Sequence, residues 1–132
     1  MAYKASLVIL YVKDPMRSAP FYRDLLGLPV KELSPGWAAF DAGPVTLALH
    51  PHPNMPATRE DVRSWFVFEV ENPFVEHARL CAKGVVFQRA PVEVCGDEHT
   101  AGMSADLEDP DGNRLSLFGM MPRASVPKPA AT

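Results

Sequence analysis

The sequence lacks the features that mark several classes of protein. It has two cysteines, Cys81 and Cys95, which is too few for a disulfide framework, and their spacing is not that of a zinc site. The formal net charge is only −3 and no cluster of Lys and Arg stands out, which argues against nucleic acid as a partner. No targeting segment is visible, and the most apolar stretch, SLVILYV, is too short to span a membrane. These absences predict a cytoplasmic protein with neither a nucleic-acid nor a membrane partner.

What is present suits one soluble domain. The chain has 132 residues, of which 47% are hydrophobic and 22% charged, and this length is enough for a substantial core. We expect a single domain over residues 1–119, with modules at 5–50 and 64–119. A proline-rich and polar linker over 51–63 joins them. Residues 120–132 have little to bury and are expected to form a disordered tail.

The two modules repeat one order of elements. The first has a strand at SLVILYV and a helix over 14–27, which opens with Asp-Pro and closes with Gly. The second has a strand at SWFVFEV and a helix over 72–84, which opens with Asn-Pro and also closes with Gly. Three short strand-like segments follow each helix. The repeat predicts an α+β fold built from two βαβββ modules, with Pro20 early in the first helix or at a distortion of it.

Three segments resemble the vicinal oxygen chelate superfamily, namely LVILYVKDPMRSAPFYRDLLGLPV, FVFEVEN and LEDPDGNRLSLFG. That superfamily includes glyoxalase I, extradiol dioxygenases, fosfomycin-resistance enzymes and bleomycin-binding proteins. The similarity covers nearly all of residues 5–119. It implies that the modules form a curled mixed sheet, a U-shaped half-barrel around a pocket with the helices outside, and that the protein is a homodimer.

The resemblance also bears on metal binding. Metal-dependent members carry ligands at four strand positions, which correspond here to Leu7, Ala48, Trp65 and Ser116. The first three side chains do not bind a divalent cation, and a neutral serine hydroxyl is a poor ligand by itself. We therefore expect no metal and no other cofactor. The alternative is a relocated metal site, for which the candidates are His50, His52, His99 and Glu108.

Strand alternation separates two faces of each predicted strand, and the resemblance assigns one face to the cavity. That face is mainly apolar and aromatic with a few polar points. Its expected members are Leu7, Ile9, Tyr11, Ala48, His50, Trp65, Val67, Glu69, Ser116 and Phe118, and Trp37 is either a second aromatic wall or a dimer contact. The residues expected to pack under the helices are Val8, Leu10, Phe66, Phe68, Leu115 and Leu117. The polar loop over 96–102 is a candidate lid.

A pocket of this composition is typical of a small-molecule site. The favoured hypothesis is a metal-free protein that sequesters or carries a planar or amphipathic organic compound. The alternative is a lyase-like or dioxygenase-like enzyme, with an unusual metal site or with His50 and Glu69 as acid and base. A scaffold without a ligand is the third reading. Trp65 is either a wall that stacks on the ligand or a plug in the place of the lost metal.

Overall fold

The computed structural model describes residues 7–52 and 65–128. Contacts divide the chain into two compact units, Met1–Val62 with Asp109–Asn113, and Arg63–Glu108 with Arg114–Thr132. The turn at 109–113 groups with the first unit, although in sequence it lies within the second predicted module. The predicted linker over 51–63 lies outside the described residues apart from its first two positions. No helix of the described residues is both long and apolar enough to cross a bilayer.

The first unit contains one four-stranded sheet of order β1-β4-β3-β2. β1 runs parallel to β4, and the other pairs are antiparallel. The helix α1 continues directly into a π-helical turn, Phe21–Leu25. The elements are β1 (Leu7–Val12), α1 (Pro15–Pro20), β2 (Val30–Ser34), β3 (Trp37–Asp41) and β4 (Thr46–Pro51).

The second unit repeats this arrangement with the order β5-β8-β7-β6. β5 runs parallel to β8, and the other pairs are antiparallel. The elements are β5 (Phe66–Glu69), α2 (Pro73–Ala82), β6 (Phe87–Gly96), β7 (Thr100–Glu108) and β8 (Arg114–Pro122), followed by a 3₁₀ turn, Arg123–Ser125. The two mixed sheets confirm the predicted α+β class with two βαβββ modules.

The helix starts follow the sequence signals. The Asp14 carboxylate accepts the Met16 backbone N–H at 3.0 Å, and the Asn72 side-chain oxygen accepts that of Phe74 at 2.9 Å. The first helix departs from a regular α-helix at Pro20, where the α turn gives way to the π turn. Proline has no N–H to donate to the preceding turn, so the regular ladder is interrupted there.

One face of each sheet packs against the helix of its own unit, because the side chains of each strand alternate between faces. Leu10, Leu115 and Leu117 are buried as predicted. Val8, Phe66 and Phe68 point to the same faces and are partly buried.

The expected disordered tail is wrong for residues 120–125. β8 extends to Pro122, and the 3₁₀ turn follows it. Met121 is only 3% exposed and belongs to a buried cluster with Ala101 and Met103. Strand alternation carries this methionine onto the core face, so extending β8 buries apolar surface. Residues 129–132 lie outside the described residues.

The loop between β6 and β7 is shorter than the segment suggested as a lid. Only residues 97–99 separate the two strands. The Asp97 carboxylate accepts the backbone N–H groups of His99 and Thr100, both at 2.8 Å. These hydrogen bonds favour the charged form and lower the pKa of Asp97. The segment is a hairpin turn held by hydrogen bonds and not the lid that was expected.

The turn at 109–113 is held by buried carboxylates. Asp109 accepts the Tyr22 hydroxyl at 2.7 Å, together with backbone N–H groups of its own turn at 2.8 and 2.9 Å. Asp111 accepts the Ser18 hydroxyl and forms an ion pair with Arg17 at 2.8 Å. Burial raises the pKa of Asp109, although its hydrogen bonds oppose the shift. The turn is thereby fixed against α1 and the π turn that follows it.

We predict that Tyr22→Phe costs about 1–3 kcal/mol of folding free energy, the scale for removing one partner of a buried polar group. Because the folded-state pKa of Asp109 is raised, the contribution of this carboxyl to stability falls as the pH rises through that pKa. The Tyr22 hydroxyl favours the charged form of the Asp109 carboxylate. Removing that hydroxyl should therefore cost more folding free energy at neutral pH than at about pH 4. Denaturant unfolding at both pH values measures the difference.

Tyr11→Phe is the matched control, since the Tyr11 side chain is half-exposed. It should leave the stability nearly unchanged at both pH values. An equal cost of Tyr22→Phe at both pH values would contradict the stabilisation of a charged Asp109.

Candidate functional site

The second sheet carries a continuous network of polar side chains on the face away from α2. The Trp65 indole Nε1–H donates to the Ser116 hydroxyl. That hydroxyl donates to Asp106 at 2.8 Å, and the other Asp106 oxygen pairs with Arg89 Nε at 2.8 Å. The register explains this order, because Arg89 faces Asp106 across β6 and β7, and Asp106 faces Ser116 across β7 and β8. We call these four residues the Trp65 network.

The two residues at the centre of the Trp65 network, Ser116 and Asp106, are more buried than the indole at its end. Asp106 and Ser116 are 8% and 5% exposed, whereas Trp65 is 46% exposed. A buried carboxylate is stable only when it is paired and hydrogen-bonded, and Asp106 has both kinds of partner. The indole is therefore held in a fixed orientation while much of its surface faces solvent. Such exposure does not fit a plug in the core.

Arg114 packs against the exposed indole. Its guanidinium carbon lies 5.2 Å from the centroid of the Trp65 ring, within the range of a cation–π contact. The two residues are brought together by the parallel pairing of β5 with β8, in which the next pair along is Phe66 with Leu115. In the described residues no carboxylate lies within ion-pair distance of Arg114.

A groove of about 320 Å³ opens beside this pair. Its volume lies at the lower end of the range for small-molecule sites, about 300–1,000 Å³. It combines an aromatic ring with several charged or amide groups. Its lining residues are Trp65, Gln88, Arg89, Asp106, Leu107, Glu108 and Arg114.

The first sheet carries an aromatic row on the face away from α1. Tyr11 faces His50 across β1 and β4, and their ring centroids are 5.8 Å apart. Trp37 contacts the other side of His50 at 6.4 Å. The His50 Nδ1 lies 2.8 Å from the Pro51 carbonyl oxygen. A carbonyl only accepts, so Nδ1–H is the donor.

Most residues predicted to face the cavity lie on these two faces. Ala48 departs from the expectation of a contact residue because it is 0% exposed. Its methyl group is too short to reach past neighbouring side chains such as Ile9, so it does not offer surface to a ligand. Ser116 is also buried and acts through its hydrogen bonds. The exposed members are Leu7, Ile9, Tyr11, His50, Trp65, Val67 and Glu69, while Trp37 and Phe118 are partly exposed.

The charged half of the site was not predicted from the sequence. Arg89 and Asp106 are adjacent only because of the β6–β7 register, which is shifted by irregularities that no sequence pattern shows. A weak signal existed for Asp106, which alternates with Ser104 and Glu108 in GMSADLED. Arg114 directly follows the turn motif DPDGN, on the face shared with Ser116.

The residues at the four positions of the superfamily's metal ligands do not fit a divalent cation. Leu7, Ala48 and Trp65 offer no ligating atom suited to one. The Ser116 hydroxyl is already engaged with Trp65 and Asp106. Across residues 7–52 and 65–128, no group of three or more His, Cys, Asp or Glu side chains is placed to hold a metal ion.

Comparisons with known proteins agree with the motif resemblance. The family model for the Glyoxalase/Bleomycin resistance protein/Dioxygenase superfamily matches residues 4–117. No curated protein gave a significant match to the chain.

Solved structures share the fold at low sequence identity. A lactoylglutathione lyase from Agrobacterium tumefaciens is 19% identical, with a TM-score of 0.68 over 86% of this chain and 91% of that one. A glyoxalase/bleomycin resistance protein/dioxygenase from Nocardioides is 21% identical, with a TM-score of 0.68 over 100% and 91%. A protein of the same description from Alicyclobacillus acidocaldarius is 14% identical, with a TM-score of 0.72 over 96% and 100%. At these identities the likeness shows the fold alone.

We predict that the purified protein holds no stoichiometric Zn, Ni, Fe or Mn, because the four expected ligand positions lack ligands. Elemental analysis after gel filtration measures this. About one transition-metal ion per chain, lost on mutation of His50 or His52, would overturn the prediction and point to a relocated site.

Proposed function

The chain belongs to the glyoxalase/bleomycin resistance protein/dioxygenase superfamily, and from this membership we propose that it is a metal-free small-molecule-binding protein. It sequesters or carries a planar or amphipathic organic compound. The observation that carries the proposal is the half-exposed Trp65 indole, held by a hydrogen bond to the buried Ser116 at the edge of a groove.

A fixed aromatic ring is well suited to binding. Trp65 loses little conformational freedom when a ligand arrives, because Ser116 already sets the orientation of its ring. Aromatic stacking and apolar burial then contribute to affinity without the cost of ordering the side chain. Val67, two residues along the same strand face, adds exposed apolar surface.

The metal-free form of the enzyme alternative uses His50 and Glu69 as acid and base. His50 donates from Nδ1 to a backbone carbonyl and packs between two aromatic rings, whereas Glu69 is exposed at the end of β5. General acid–base catalysis requires both groups within reach of one reacting centre. The fixed, half-exposed Trp65 indole beside a groove favours binding, and we therefore keep binding as the proposal.

A homodimer is part of the proposal. Leu7, Ile9 and Tyr11 lie on one face of β1 and are 45%, 41% and 50% exposed. A run of apolar side chains on one strand is costly to leave in water, and burial against a second copy removes that cost.

We predict that Trp65→Ala weakens ligand binding by about 1–3 kcal/mol, the scale for losing an aromatic contact at a binding site. Its cost in stability should be smaller than the roughly 3–5 kcal/mol typical of removing a fully buried aromatic ring. A screen of planar organic compounds, read by tryptophan fluorescence and repeated by calorimetry, supplies the affinities. Thermal melts of the same variant supply the stabilities.

Trp37→Ala is the matched control, since it removes the other tryptophan and lies outside the groove. It should leave the affinity for groove ligands unchanged. A stability loss of Trp65→Ala in the core range, with no separate binding defect, would support the plug interpretation and contradict the proposal.

We also predict a dimer in sedimentation at micromolar concentration. Replacing Ile9 with Asp should shift the protein towards monomer, because the charge would be buried without a partner. Val86→Asp is the control variant, because it introduces the same charge at an exposed valine just before β6. A wild-type protein that sediments only as monomer would exclude the dimer.

A further inference from the structure

We propose that the groove beside Trp65 selects small planar carboxylates, and that Arg114 is the group that binds the carboxylate. This inference rests on the proposed binding function and names the ligand class of the same site. It follows from the charge and position of Arg114 more than from the aromatic ring.

Arg114 differs from every other arginine that the structure describes. Each of the others forms an ion pair with a carboxylate; these are Arg17, Arg23, Arg79, Arg89 and Arg123. The Arg114 guanidinium instead lies over the Trp65 ring, and it is partly buried. A partly buried cation that forms no ion pair within residues 7–52 and 65–128 is a natural site for an anion.

The cation–π contact leaves the donors of Arg114 available. Such a contact is an attraction between the charge and the ring face, and it does not use the guanidinium N–H groups as hydrogen-bond donors to a carboxylate. Those N–H groups match a carboxylate in a bidentate arrangement. The aromatic part of the ligand then meets the apolar surface of Trp65 and the walls of the groove.

Two of the other charges in the groove neutralise each other. Arg89 already neutralises Asp106 at 2.8 Å, which removes that carboxylate as a partner for a ligand cation. Glu108 is the remaining carboxylate in the lining. It faces Arg114 across β7 and β8 but makes no ion pair with it. A cationic ligand would meet the unneutralised charge of Arg114, which already occupies a face of the indole.

The test compares three probes of one shape and different charge, namely benzoate, benzamide and benzylamine. Affinities are measured by calorimetry and by tryptophan fluorescence at low and high salt. Benzoate should bind the wild-type protein about tenfold more tightly than benzamide, which is the scale of a charge-assisted bidentate pair. Benzylamine should bind weakest. The advantage of benzoate should shrink at high salt because the site is open to solvent.

The variants assign this preference to Arg114. Arg114→Gln should remove the advantage of benzoate over benzamide. Arg114→Lys should retain only part of this advantage, since lysine keeps the charge but lacks the planar guanidinium that binds a carboxylate through two hydrogen bonds. Glu108→Gln should raise benzoate affinity a few-fold by removing a repulsive charge. Arg23→Gln is the control for an exposed arginine, and it should change nothing. Circular dichroism checks that each variant is folded.

The outcomes separate this inference from the proposed function. If benzoate and benzamide bind wild-type protein equally, or if Arg114→Gln and Arg114→Lys both keep the preference, the carboxylate inference is wrong. In that case, binding that is still weakened by Trp65→Ala leaves the proposed function standing. If no planar compound, charged or neutral, responds to Trp65→Ala, both proposals fail. The wild-type comparison is decisive even if Arg114→Gln does not fold.

Discussion

The buried Asp106 carboxylate is the constraint on which the site depends. A charge with 8% exposure must be paired and hydrogen-bonded, and Arg89 and Ser116 supply these two partners. Because the Ser116 hydroxyl donates to Asp106, its oxygen is oriented to accept the Trp65 indole N–H. The position of the exposed aromatic ring thus follows from the need to satisfy a charge beneath it.

The same βαβββ framework supports different chemistry in the two units. The exposed face of the first sheet carries packed aromatic and imidazole rings around His50, whereas that of the second carries a charged network capped by Arg114. The strands fix the spacing of these side chains, and the side chains determine what each face can bind. This is the physical sense in which a superfamily fold accommodates different functions.

The candidate site was predictable only in part. Turn-and-strand motifs placed Trp65 and Ser116 on the expected face, since alternation is a local property of a strand. Their hydrogen bond, and the contribution of Arg89 and Asp106, required the pairing of strands distant in sequence. Ala48 shows a second limit of the sequence prediction. Strand alternation assigned this residue to a face, but it does not predict whether neighbouring side chains cover the residue, and Ala48 is buried.

The sequence by itself determined the two modules, the helix starts at Asp14 and Asn72, and the α+β class, because caps, prolines and alternation act over a few residues. It also predicts, through the resemblance, that the superfamily's ligand positions carry no metal-binding set. The tertiary structure alone decided the β6–β7 register, the extension of β8 past residue 120 and the cation–π contact of Arg114 with Trp65. These three features depend on long-range strand pairing and on irregularities such as bulges. Their energies are set by residues distant in sequence, which a local sequence pattern does not identify.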